Sequence, residues 1–290
     1  MRALVSLLMI AMLPISLAGA EDRFANVEIQ TIPVAENIYM LVGQGGNIGV
    51  FAGKDGILMI DDQFAPLSEK IKAALEQIGS DSPRFLLNTH YHGDHTGGNK
   101  IFGADSLIVA HENVRVRLLA SETPGEYPPV ALPVFTYADE ANIWINGEQI
   151  RVVHMPLGHT DGDSVVFFEQ SNVVHMGDHF FKDRFPFVDL DAGGSVQGLI
   201  DNVNLILDLI DDNTAVIPGH GSLADKEDLQ RYLAMLEQTS SMVRKAIEAG
   251  KSEEEILAAG MDDRWESWGT GFINEQRWTQ TLYNSFVGDM

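Results

Sequence analysis

Apolar positions divide the chain into short runs of strand length and longer stretches with helical spacing. Segments 27–30 and 37–42 read as strands. Segments 47–52 and 56–60 are short and apolar, and Gly53-Lys54-Asp55 between them predicts a hairpin. Over 66–78 the period becomes helical, with Leu67, Ile71, Ala74, Leu75 and Ile78 on one face. A short apolar strand is expected over 84–89 and a helix over 112–121. The second half has strand-like runs at 143–145, 149–154, 164–169, 173–175 and 215–217. Helices are expected at 195–210, 225–249, 252–259 and 275–286. The strands fall into two groups, each with flanking helices, which predicts two sheets packed face to face with helices outside. No linker rich in Pro, Gly or Ser separates the groups, and no internal repeat stands out. One domain is therefore expected.

The first twenty residues depart from this pattern. Met1-Arg2 carries a positive charge, an apolar run covers 3–13, and Ala18-Gly19-Ala20 precedes Glu21. These are the parts of a secretory signal peptide, so 1–20 are read as a leader and 21–290 as the mature domain, periplasmic or secreted. The apolar run is shorter than a comfortable bilayer span, and no later segment is longer. No membrane attachment is expected after cleavage.

Composition narrows the chemistry. The chain has no cysteine, so a metal would have to rest on His, Asp or Glu. With 42 acidic against 19 basic side chains, the net charge is −23. That disfavours nucleic acid, whose binding needs Lys and Arg to displace counterions. A small molecule is the expected partner, and nothing signals an obligate protein partner.

The sharpest motif is His90-Tyr91-His92-Gly93-Asp94-His95, directly after the 84–89 strand. In extended chain His90 and His92 point the same way. Gly93 permits a sharp turn that brings Asp94 and His95 near the same point. Imidazoles and a carboxylate clustered at a strand end suit Zn²⁺. Three further strand ends carry His or Asp beside glycine: Gly158-His159-Thr160-Asp161-Gly162-Asp163, Met176-Gly177-Asp178-His179 and Pro218-Gly219-His220-Gly221.

Together these motifs resemble the metallo-β-lactamase superfamily, over nearly the whole mature chain and in the family's order. The resemblance implies an α/β fold, a four-layer αββα sandwich, and two zinc ions per chain. His90, His92 and His159 would hold one ion. Asp94, His95 and His220 would hold the other, with Asp178 bridging. Asp61, or alternatively Asp62, would orient a metal-bound histidine from outside. The implied activity is hydrolysis by a metal-activated hydroxide that Asp94 helps to orient, and the amide of a β-lactam is the leading substrate. Asp178 stands where the best-known β-lactamases carry a cysteine, or use another arrangement. An aspartate there is similar to thioesterases, lactonases and nucleases of the superfamily. A lactone, thioester or other ester hydrolase is thus the second reading, and a non-catalytic periplasmic metal-binding accessory protein the third.

The remaining candidates are weaker. His154 and His175 lie in strands and are read as packed or hydrogen-bonded, while His111 and His179 have no assigned role. Trp265, Trp268, Phe272 and Trp278 read as core. The run Phe180-Phe181-Lys182-Asp183-Arg184-Phe185-Pro186-Phe187 directly follows Asp178 and its neighbour. Its aromatics could wall a pocket, and Lys182 or Arg184 could pair with a substrate carboxylate or, as the alternative, form a surface salt bridge.

Overall fold

The computed structural model describes residues 22–288, so the leader predicted over 1–20 lies outside the described residues. Among the described residues, twelve strands form two sheets. The first sheet runs β1 (Gln30–Ala35), β2 (Ile38–Val42), β3 (Ile48–Phe51), β4 (Leu58–Ile60), β5 (Phe85–Leu87), β6 (Leu107–His111) and β7 (Phe135–Tyr137), in that spatial order. Its first four strands pair antiparallel and its last four parallel. The second sheet has the order β12-β11-β10-β9-β8, from β8 (Glu140–Ile145), β9 (Glu148–His154), β10 (Ser164–Phe168), β11 (Val173–His175) and β12 (Ala215–Ile217). Only β11 and β12 pair in parallel there.

Side-chain alternation explains the layers. In β9 buried and half-buried positions alternate, whereas β10 is buried at every position. A strand covered on both faces reads as a continuous apolar run, which is why Val165-Val166-Phe167-Phe168 lacks alternation. Met40, Ile60 and Leu87 of the first sheet meet Val152, Val166, Phe168 and Ile217 of the second in the inner core. The outer face of the first sheet packs Val50, Met59 and Leu86 against Leu67, Ile71 and Leu75. Two of these come from helix α1 (Ser68–Ile78). Short helices α2 (Gly93–Thr96) and α3 (Asn99–Phe102) and helix α4 (Glu112–Leu119) follow on that side of the chain order. On the second sheet, Val165, Phe167, Val174 and Val216 pack against α5 (Val196–Leu209), α6 (Lys226–Glu248) and α8 (Glu275–Gly288), with α7 (Glu253–Ala259) between the last two in sequence. The expected four-layer αββα arrangement is the one observed.

Local chemistry sets the boundaries. Asn146 and Gly147, both at positive φ, make the two-residue turn that joins β8 to β9. Asp225 and Asp228 form a reciprocal capping box that starts α6. Trp278 of α8 is fully buried, and its indole N–H donates to Thr239 of α6. Removing such a side chain costs about 3–5 kcal/mol.

Three expectations shift. The strand predicted at 27–30 forms at Gln30–Ala35 instead, and β6 and β7 were not predicted. β1 is an edge strand, and it tolerates Pro33, which cannot donate to a ladder.

Candidate metal centre

The loops leaving the C-terminal ends of β4, β5, β9, β11 and β12 converge at one rim of the sandwich. The loop after β5 carries His90 and His92, and α2, with His92 at its N-cap, carries Asp94 and His95. The loop after β9 carries His159, the turn after β11 carries Asp178, and the loop after β12 carries His220. The structure brings all seven predicted donors together in two groups: His90, His92, His159 and Asp178; and Asp94, His95 and His220. Within each group the donor atoms lie within 4.8 Å of one another.

Asp178 faces both groups. Its Oδ2 lies 3.4 Å from His159 Nε2 and 3.8 Å from His90 Nε2, while its Oδ1 lies 3.1 Å from His95 Nε2 and 3.4 Å from His220 Nε2. Asp94 Oδ2 lies 3.4 Å from His220 Nε2. Only glycine fits behind the aspartate, because a Cβ on Gly219 would fall 2.1 Å from Asp178 Oδ1.

The outward-facing nitrogens determine what the inward ones can be. His159 Nδ1 lies 2.7 Å from the carbonyl oxygen of Phe187, so it must donate. His92 Nε2 lies 2.9 Å from the Asp189 carboxylate and donates there. The two inner nitrogens, His92 Nδ1 and His159 Nε2, face each other 2.8 Å apart with the other nitrogen of each ring committed outward. His95 repeats the pattern: Nδ1 donates to Asp61, 2.7 Å away, and Nε2 faces Asp178. His90 Nε2, His95 Nε2 and Asp178 Oδ1 are buried without a hydrogen-bond partner. Buried polar atoms are almost always paired, and donors converging in this way could hold a metal ion.

The imidazoles around this space differ in how readily they take a proton. Burial, reinforced for His90 by His95, pushes the His90 imidazole well below its ordinary value and His159 down to about 4. Burial works against the His95 and His220 imidazolium forms too, but Asp178 and its neighbours outweigh it; His95 is raised well above the usual range and His220 to about 9. For Asp178 burial opposes ionisation, and the surrounding imidazoles reverse this and hold the carboxyl well below the usual range. The donor set, imidazoles with carboxylates and no thiolate, fits a divalent ion of the zinc type, whose binding would displace the protons that Asp178 draws onto His95 and His220.

An outer layer fixes these side chains. Asp61 occupies the predicted place: its carboxylate accepts from Thr89 N and Oγ1 as well as from His95. Asp61 holds a left-handed backbone, φ 62°, unusual for a non-glycine residue. Asp62, the alternative, instead accepts from Gly98 N. Three supports had no role assigned from the sequence, although Asp163 lies in the motif that carries His159. Asn47 donates to Pro218 O and Gly221 O, bracing the loop of His220. Asp163 accepts from Thr160 N and Oγ1, closing the turn after His159. Asp189 accepts from Tyr91 and His92.

Above the donors lies a cleft of about 630 Å³, walled by Phe64, Phe181, Phe187 and Phe272 and carrying Arg23 and Arg184. The predicted basic pair separates. Lys182 does not reach the cleft, because its ammonium is 2.5 Å from Asp228 and also donates to Leu223 O. Arg184, two residues on, lines the cleft and has no carboxylate within ion-pair distance among the described residues. Phe272 departs from its expected core role; it is 74% exposed and forms part of the wall.

The family model for the metallo-beta-lactamase superfamily matches residues 41–220, a span that contains every one of the seven donors. The chain belongs to the metallo-beta-lactamase superfamily. A lactamase-like protein aptB of Emericella nidulans is 26% identical over 252 residues, covering 81% of this chain and 73% of that protein. A hydroxyacylglutathione hydrolase of Methylococcus capsulatus is 29% identical over 157 residues, 53% of this chain and 52% of its own length. Among solved structures, the sec-alkylsulfatase Pisa1 from Pseudomonas sp. shares the fold at a TM-score of 0.71 and 15% identity, over 90% of this chain and 51% of that one. The DIM-1 metallo-beta-lactamase shares it at a TM-score of 0.60 and 20% identity, over 73% and 99%.

Membership makes the protein a metal-dependent hydrolase, and the remaining histidines of this superfamily member divide from the ligand set. His175 is buried, donates to Asn47 O and accepts from Gly177 N. His154 lies 2.8 Å from Asp163 O and stacks on His111, rings 3.8 Å apart. His179 is buried against Asn202, away from the cleft. Trp268 and Trp278 belong to the core, with Trp265 packed against it.

Proposed function

We propose that this metallo-beta-lactamase superfamily member is an exported dinuclear zinc hydrolase that opens the amide of a β-lactam. His90, His92 and His159 would hold one ion, Asp94, His95 and His220 the other, and Asp178 would bridge them. The observation that supports this most is the convergence of His92 Nδ1 and His159 Nε2, 2.8 Å apart beside Asp178, while the other nitrogen of each ring is committed outward. Bound metal supplies an acidified water and an electrophile for the scissile carbonyl.

The chain's own residues supply the rest. Burial opposes ionisation of Asp94, but His95 and His220 hold its carboxyl down to about 2, so it is an acceptor at neutral pH. It borders the cleft, where it can take a hydrogen bond from a reacting water. Arg184 offers a fork of donors to a substrate carboxylate, and the phenylalanine walls cover an apolar body and exclude water. A small substrate with a carboxylate and an electrophilic carbonyl fits this arrangement. The basic side chains at the cleft matter in a chain of net charge −23 that otherwise repels anions.

A second reading, ester or thioester hydrolysis, is favoured by Asp178, an oxygen ligand shared between the groups, and by the relative named hydroxyacylglutathione hydrolase. Purified zinc-loaded protein tested on penicillins, cephalosporins, carbapenems, lactones and thioesters separates the two. Efficient turnover of β-lactams supports the first; intact β-lactams beside rapid thioester or lactone cleavage contradict it. Export is tested by fractionating cells that express the full chain and sequencing the mature N-terminus, expected at Glu21. No helix among the described residues is long and apolar enough to cross a membrane.

A further inference from the structure

One short segment, residues 187–189, touches two of the histidines in the first donor group. Phe187 O accepts from His159 Nδ1, and Asp189 N donates to His159 O at 2.9 Å. Asp189 Oδ2 accepts from His92 Nε2 at 2.9 Å and from Tyr91 O–H at 2.6 Å. The carboxylate is itself held: its Oδ1 accepts from Ala192 N at 3.1 Å, and Gly194 N donates to Asp189 O at 2.8 Å. His92 points its Nδ1 inward only while Nε2 keeps this acceptor. Without it the ring can rotate about its bond to Cβ or exchange tautomers, because no other hydrogen bond holds the His92 ring outside the donor cluster.

We propose that Asp189 is a positioning residue for the metal site of His90, His92 and His159, with Tyr91 steadying its carboxylate. The proposal rests on reading those residues as a metal site. Asp189 does not touch the inner atoms; it acts through the His92 ring. Its influence is therefore expected at the first donor group, since its hydrogen bonds reach His92 and His159 and none goes to Asp94, His95 or His220. Phe187 also walls the cleft, so the same segment links the shape of the substrate wall to the orientation of the histidines.

The test is zinc affinity of the full mature protein, measured by competition with a chromophoric chelator, together with the visible spectrum of the cobalt-substituted form. Outer partners of metal-bound histidines change affinity by roughly 10–100-fold. Asp189→Ala should weaken one zinc equivalent by that factor, leave the other at parent affinity, and alter the cobalt spectrum. Asp189→Asn retains an acceptor for His92 Nε2 and should lose less; Tyr91→Phe should lose least. Thermal unfolding of each metal-free variant separates lost metal binding from lost folding, and Asp189→Asn carries the test if the alanine variant does not fold. Parent protein that binds two equivalents, with Asp189→Ala and Asp189→Asn both binding them unchanged, overturns this assignment alone. Equal loss at both equivalents also overturns it. Parent protein that binds no zinc overturns the metal reading, and this assignment with it.

Discussion

The nine histidines of this chain form two populations that share a residue type and a degree of burial but differ in how their nitrogens are satisfied. His111 donates to Ala138 O and accepts from Asn113 N; His175 donates to Asn47 O and accepts from Gly177 N. Their rings are closed hydrogen-bonding units inside the fold. His90, His95 and His159 each use one nitrogen on Thr89, Asp61 or Phe187, and each turns the other toward Asp178. The difference teaches that proximity to a cleft or burial alone does not identify a ligand. An unspent, oriented lone pair among others does.

The sharpest way to break the comparison is to remove the shared carboxylate. Asp178→Ala should lower turnover by more than about a hundredfold, beyond the loss typical of an outer partner, and reduce bound zinc to one equivalent or fewer. Parent-like kinetics and metal content would place Asp178 outside the site.

The satisfied population makes its own prediction through pH. Burial pushes the His175 imidazole down to about 4, against an ordinary 6.5. The unfolded chain therefore binds this proton first as pH falls. Stability from a neutral, buried His175 is present above pH 6.5 and is lost progressively between about pH 6.5 and 4, on the order of 3 kcal/mol. Denaturant unfolding of the metal-free protein across that range should show the loss, and His175→Gln should flatten it. Equal slopes in parent and variant would contradict the assignment.

Arg184→Ala should raise KM for an anionic substrate by roughly tenfold with little change in kcat, the pattern of lost uniform binding, since charge-assisted hydrogen bonds contribute about 1.5–3 kcal/mol. Lys182→Ala should not, because its ammonium is committed to Asp228. The smallest effect is expected from His154→Ala. It removes a ring stack and a hydrogen bond to Asp163 O, and should cost about 1 kcal/mol of stability with kcat unchanged. A selective fall in kcat would move His154 into the working site.

Much of the donor set was legible in the sequence because ligand residue types are rare at strand ends, and four such ends carried them beside glycine. The four layers were legible from apolar runs followed by helical periods. What escaped did so for physical reasons. β6 is a short run abutting a helix, and β7 is a three-residue edge with no usable period. Lys182 and Arg184 are equivalent in sequence; only the packing of α6, which supplies Asp228, separates them. Asn47 and Asp189 act across 171 and 97 positions of chain, so no local pattern marks them.

The central claim is that unspent lone pairs around Asp178 hold two metal ions. Titrating the metal-free mature protein with zinc, with elemental analysis of the dialysed product, tests it directly. The account predicts saturation at two equivalents per chain, and loss of hydrolase activity on chelation that zinc restores. A stoichiometry that stays at one or below under excess zinc would contradict it.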